Sequence, residues 1–160
     1  MAKKIHKFKN FSASQNGVEI KLDLSSLEDR FNRAQFALDS AVMTSMVPYM
    51  PMQNGTFINQ VRAKSASVAG SGEVYAAVPP AGRFLYEGKT MVDVQTGSPW
   101  ARKGAKKVLV SQYGGKTNAR ENLTFSGAAN PKARPQWFDA AKESDSDKWE
   151  KVVKNQVGGK

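Results

Sequence analysis

The 160-residue chain contains no cysteine and a single histidine, His6. The first absence removes thiolate nucleophiles, Cys-ligated zinc, iron–sulfur clusters and a disulfide framework. The second removes a His-rich metal site and leaves no imidazole base for a serine or threonine nucleophile, because His6 sits in a basic leader. Long hydrophobic runs are missing as well. The most apolar window, Ala41 to Met52, is interrupted by Thr44, Ser45, Pro48 and Pro51. No segment therefore reads as a membrane span, and no apolar stretch of secretory-signal length follows the leader. These exclusions predict no cofactor, no metal, no membrane partner and no enzyme. The sequence reads as that of a protein made in a cytoplasm and kept there unless it leaves in a larger particle. What is present suffices for folding: 40% apolar residues and 9% aromatics exceed what a disordered polar chain carries. The length predicts one domain burying roughly 70% of its unfolded surface.

Acidic residues are scarce in two zones, and those zones account for the formal net charge of +10. The leader, residues 1–10, holds Lys3, Lys4, Lys7 and Lys9 with no acid. Residues 100–134 hold Arg102, Lys103, Lys106, Lys107, Lys116, Arg120, Lys132 and Arg134 against Glu121 alone. The rest is close to neutral. Such zones meet phosphate, meet an acidic protein surface, or merely keep the protein soluble; composition does not choose. Trp100, Tyr113 and Phe125 are interleaved with the cations of the second zone, an arrangement that suits base stacking over a phosphate track. It suits loops lining a charged channel equally well.

The predicted organisation is a basic flexible arm over residues 1–16, a single α+β domain over 17–156 and a frayed tail over 157–160. Val18, Ile20, Leu22 and Leu24 alternate with Glu19, Lys21 and Asp23, the pattern of a half-buried strand. Ser25 and Glu28 stand at capping-box spacing, and Leu27, Phe31, Ala34, Leu38, Ala41, Val42 and Met46 follow at three- and four-residue steps. This predicts an amphipathic helix from Ser25 to near Val47, where Pro48 stops it. Phe57–Arg62 reads as strand or short helix. Ser65–Val68 and Glu73–Val78 read as a hairpin around Gly70-Ser-Gly72, with further strands at Met91–Val94, Lys107–Val110 and Leu123–Phe125. A C-terminal helix begins near Trp137, with a break expected at Ser144-Asp-Ser-Asp147. The fold expected is a small, mostly antiparallel sheet packed against the long helix, with a C-terminal helix and long basic loops at Gln95–Lys107 and Gln112–Asn122.

Three motifs bear on chemistry. Gly114-Gly-Lys-Thr117 lacks the first glycine of a P-loop, since Val110 stands there, and no striped helix follows it. Glu28/Asp29 and Asp145/Asp147 are carboxylate pairs placed where helix starts and caps want acids. The methionines at 46, 50 and 52, beside Tyr49 and two prolines, read either as core filling or as an adaptable interface.

Three pieces in order resemble the minor capsid and neck (head–tail joining, tail-completion) proteins of tailed bacteriophages. They are Val47-Pro-Tyr-Met-Pro51 with Asn54-Gly-Thr-Phe57 after a helix, Gly72 to Gly88 with its Phe84-Leu-Tyr-Glu-Gly88 ending, and Asn130 to Lys142 with Trp137-Phe-Asp-Ala-Ala-Lys142. Together with that helix they span about residues 25–145. The resemblance implies a non-enzymatic virion protein of the neck, forming a hexameric or dodecameric ring between the DNA-filled head and the tail. Its partners would be head-closure or connector proteins and tail proteins, with non-specific contact to genomic DNA. On that reading Arg102, Lys103, Lys106, Lys107, Lys116 and Arg120 face the DNA passage or partners, and Lys3, Lys4, Lys7, Trp100, Tyr113 and Trp149 make inter-subunit contacts. The alternative is a standalone basic nucleic-acid-binding protein.

Overall fold

A computed structural model describes residues 5–79, 82–100 and 102–158. The class is α+β, as expected, but the sheet is split into two two-stranded antiparallel ribbons. The elements in order are β1 (Phe11–Gln15), β2 (Val18–Leu22), α1 (Ser25–Met46), α2 (Thr56–Val68), α3 (Gly82–Glu87), β3 (Met91–Asp93), β4 (Lys107–Leu109) and α4 (Trp137–Val157). They form two compact units. The described residues up to Ser45, Arg62–Tyr75 and those from Ala141 on make unit 1; Met46–Val61 and Ala76–Ala140 make unit 2.

In unit 1, α1 starts and stops where its stripe predicts, and Ala34 and Val42 are buried along it. The capping box does not form. Asp23 Oδ1 instead accepts the Ser25 amide at 2.9 Å, and Glu28 Oε2 reaches away from the helix to accept the Phe8 amide at 3.2 Å. It is one of several bonds that tie residues of the predicted arm to α1 and its approach. Asn32 grips His6 through both faces of its amide, donating to the His6 carbonyl at 3.0 Å and accepting its N–H at 3.3 Å. Asn10 accepts the Leu24 amide at 2.9 Å. The His6 and Phe8 rings lie 5.6 and 5.4 Å from Phe31. The leader from Ile5 is therefore laid along α1, and residues 11–15 are strand. β1 and β2 pair from Phe11↔Leu22 to Gln15↔Val18. Asn16 (φ 52°) and Gly17 (φ 77°) join them through two left-handed residues, which an Asn-Gly pair adopts at little cost. β2 was expected half-buried; every residue of both strands is exposed.

Asp39 is a buried carboxylate on the inner stripe of α1. It accepts the amides of Gly70 at 2.7 Å and Gly72 at 3.2 Å, plus the Gln35 side-chain amide at 2.8 Å, and so fixes the turn after α2. That turn does not close the expected 65–78 hairpin, because α2 runs to Val68. The apolar stripe Ile58, Val61, Ala69 is completed by Ser65, whose hydroxyl accepts the Tyr75 amide at 3.0 Å and donates to its carbonyl at 3.3 Å. A serine at a core position hid the helical period. α4 is likewise continuous through Ser144–Asp147. Lys148 Nζ donates to Asp145 Oδ1 at 2.6 Å, one turn away, so the carboxylate needs no helix end to satisfy it.

In unit 2, β3 and β4 pair from Met91↔Leu109 to Asp93↔Lys107. Leu123–Phe125 is not a strand; beside it, among the described residues, stands the isolated Lys89↔Asn122 bridge. Met46 and Met50 are fully buried, whereas Met52 is exposed, so the methionine corner is mainly core.

Candidate functional site

Trp137 is the hub of unit 2. It is wholly inaccessible to solvent, its ring meets Tyr86 edge-on at 4.9 Å and Phe57 at 5.9 Å, and its indole N–H donates to the Ala76 carbonyl at 2.8 Å. Around it the backbone is tied in the same way. Asn130 Nδ2 donates to the carbonyls of Val47 (3.0 Å) and Met50 (2.9 Å). The Arg134 amide donates to Tyr49 and the Gln136 amide to Tyr86, at 3.0 and 2.8 Å. Burial raises the Tyr86 phenol pKa above its ordinary value, aided by the Asp139 carboxylate beside it. The described residues of 47–57, 76–88 and 130–137 thus pack as one cluster.

The long loop between β3 and β4 is equally well anchored. Asp93 is fully buried and accepts the amides of Gln95 (2.8 Å) and Thr96 (3.3 Å) and the Arg102 Nε–H (3.2 Å). The Gln95 amide, then the Arg102 guanidinium, hold its carboxyl below the ordinary 3.8. Gly97, at φ 66°, is buried under Tyr113; a Cβ there would meet the Tyr113 ring at 2.7 Å. The Thr117 hydroxyl donates to the Gly97 carbonyl at 2.6 Å. The loop is therefore held by the buried Asp93 carboxylate at its start and by Tyr113 and Thr117 against Gly97.

From this framework Trp100 projects at 86% exposure, with Lys107 Nζ reaching the neighbouring Pro99 carbonyl at 3.2 Å. Lys103, Lys106, Lys107, Lys116 and Arg120 are all exposed. Arg102 is exposed too, but its guanidinium bonds Asp93 and Gln95, which makes it a loop brace. Two of the predicted inter-subunit residues face inward. Tyr113 is half-buried over Gly97 and Gly115. Trp149 donates to Ser45 Oγ at 3.1 Å, docking α4 on α1 within unit 1. Lys7 is exposed, and Lys3 and Lys4 lie outside the described residues. Asp93, Lys89 and the first strand of the 11–22 ribbon carry no reading in the sequence, whereas the second strand shows its alternation. Lys89, which bonds Glu121 (3.2 Å) and Asn122 (2.8 Å), carries no signal there. The ribbon does: Asn16-Gly17 is its turn.

Nothing here resembles a nucleotide cradle. No helix follows Gly114-Gly-Lys-Thr117, and Thr117 Oγ, besides donating to Gly97, accepts the Ala119 amide at 3.1 Å. A cleft of about 340 Å³ in unit 1 is lined by Asp39, Arg62 and Ser65, but Asp39 and Ser65 are committed to backbone groups. Among the described residues no cluster of three or more His, Cys, Asp or Glu is placed to hold a metal, and no helix is long and apolar enough to cross a membrane. Comparison with family models, curated proteins and solved structures finds no match.

Proposed function

We propose that the chain is a non-enzymatic structural subunit of a tailed-phage virion, assembling as a hexameric or dodecameric ring in the neck between the DNA-filled head and the tail. The observation that carries this reading is the convergence on Trp137. The three stretches that resemble minor capsid and neck proteins are far apart in sequence, yet Phe57, Tyr86 and Trp137 form one aromatic cluster. The resemblance therefore falls on residues that hold one another in place. In that role the chain is made in the host cytoplasm and incorporated into the virion. Its partners are head-closure or connector proteins on one side and tail proteins on the other. The exposed lysines of the 103–116 loops then meet acidic partner surfaces or touch DNA in transit without gripping it.

The test is a phage lacking the gene. DNA-filled heads and unattached tails are the expected products; joined, infectious particles would overturn the reading. A second reading, a standalone nucleic-acid-binding protein, is favoured by Trp100, an exposed indole among cations. The two separate by salt dependence. A passage protein should lose less than about tenfold in DNA affinity between 50 and 200 mM salt, whereas a dedicated binder making several phosphate contacts loses roughly a thousandfold or more.

A further inference from the structure

The β1–β2 ribbon of unit 1 has a surface that its own contacts leave unexplained. The register places Phe11, Ala13, Val18, Ile20 and Leu22 on one face and Ser12, Ser14, Glu19 and Lys21 on the other. Phe11, Val18, Ile20 and Leu22 are 57, 62, 59 and 50% exposed, on the order of 400 Å² of apolar surface. A lone two-stranded hairpin is marginally stable in water and gains from a third strand. Among the described residues, no third strand pairs with the outer edge of either strand. Natural edges are blunted by charges, prolines or bulges. β1, with the sequence Phe-Ser-Ala-Ser-Gln, has no charge and no proline, and the pairing contains no bulge.

Charge selects the occupant. A nucleic acid or an acidic protein is drawn to cations, but the ribbon's only charges, Glu19 and Lys21, neutralise each other at 3.0 Å. On a chain of net charge +10, a neutral apolar patch is where two like-charged copies approach at least electrostatic cost. We infer that the ribbon is the contact between copies of this chain, the β1 edge of one copy pairing with the β2 edge of the next. A β1–β1 pairing leaves both β2 edges open, whereas head-to-tail pairing consumes every edge once a ring closes. The common alternation of the strands keeps the apolar faces on one side across each junction. The apolar area is about half the ~800 Å² per partner of a standard interface. A single junction is therefore weak, and closure, which gives each copy two, makes assembly cooperative. Closure rests on the ring reading above; the strand pairing itself does not.

A chain without cysteine is suited to the test. Full-length Ser14→Cys and Lys21→Cys proteins, with Ser12→Cys and Glu19→Cys to cover the neighbouring register, are prepared singly, mixed in β1/β2 pairs at near-millimolar concentration and oxidised. A disulfide between two different variants is necessarily intermolecular. The expected result is β1-to-β2 links in about tenfold excess over β1-to-β1 links, falling about tenfold when Ile20→Lys is added to both partners. Because Ile20 is exposed, that variant should melt like the parent, which separates lost association from lost folding. Absence of links, or β1-to-β1 links alone, overturns the inference. Rings seen by electron microscopy without β1-to-β2 links overturn it while leaving the ring reading standing. Links in open strings, together with joined phage particles that lack the protein, overturn the neck reading and leave the pairing intact.

Discussion

Replacing Trp137 by Phe is the most direct test of the cluster on which unit 2 is built. Phenylalanine keeps a ring against Tyr86 and Phe57 but removes the indole N–H, so the Ala76 carbonyl loses its donor at 2.8 Å. A donor lost from a partly buried acceptor costs about 1–2 kcal/mol, toward the lower end for a half-exposed carbonyl. The missing part of the indole leaves roughly 40 Å³ in a site with no solvent access, which adds about 1 kcal/mol. The sum, about 2–3 kcal/mol, is a large fraction of the ~5–15 kcal/mol by which a domain is stable. In urea titrations followed by near-UV circular dichroism, the midpoint should fall by about 1–2 M with an unchanged slope. Trp100→Phe is the matched control, because its ring is 86% exposed; it should stay within about 0.5 kcal/mol of wild type. A Trp137→Phe midpoint indistinguishable from that of Trp100→Phe would refute the claim that Trp137 organises the unit.

Three further expectations concern the anchored loop and the arm. Asp93 has a lowered carboxyl pKa, so the stability it supplies is complete above its ordinary value of 3.8 and is lost as pH falls through the depressed folded-state value. Trp100 fluorescence should therefore show an acid transition in wild type that Asp93→Asn lacks. Gly97→Ala forces a Cβ against the Tyr113 ring at a positive φ and should cost about 1–3 kcal/mol by thermal melting. Asn32→Ala removes both bonds to His6 and should speed tryptic cleavage after Lys7 and Lys9 several-fold, with little change in the melting of the rest.

The legible parts of the fold were those in which one residue pattern decides the outcome. α1 could be bounded to within a residue or two because its stripe and Pro48 agree. β2 showed its alternation, but its partner did not: Phe-Ser-Ala-Ser-Gln has too few apolar residues to register as a strand, and only Asn16-Gly17 marks the turn between them. α2 and the middle of α4 were obscured by polar residues at core or mid-helix positions. Ser65 is satisfied by Tyr75, ten residues on, which no local rule anticipates; Asp145 is satisfied by Lys148 at the i,i+3 spacing of a helix, a signal that the Ser-Asp-Ser-Asp run outweighs. Among the candidate surface residues, Lys103, Lys106, Lys107, Lys116 and Arg120 are exposed. Arg102 was not foreseen as a brace, because Asp93 gives no sequence sign of being buried.

Trp137 also has a consequence for how the molecule is made. The groups that close around it, from Val47 to Tyr86, are synthesised well before it, and their partners at Asn130, Arg134 and Gln136 follow only just ahead. Until residue 137 has left the ribosome, Phe57 and Tyr86 have nothing to enclose. Unit 2 must therefore form late and all at once, through contacts of high sequence separation, while unit 1 already has the arm and α1 with which to begin. Truncation upstream of Trp137 should thus leave an open, aggregation-prone chain with no smaller folded version of unit 2.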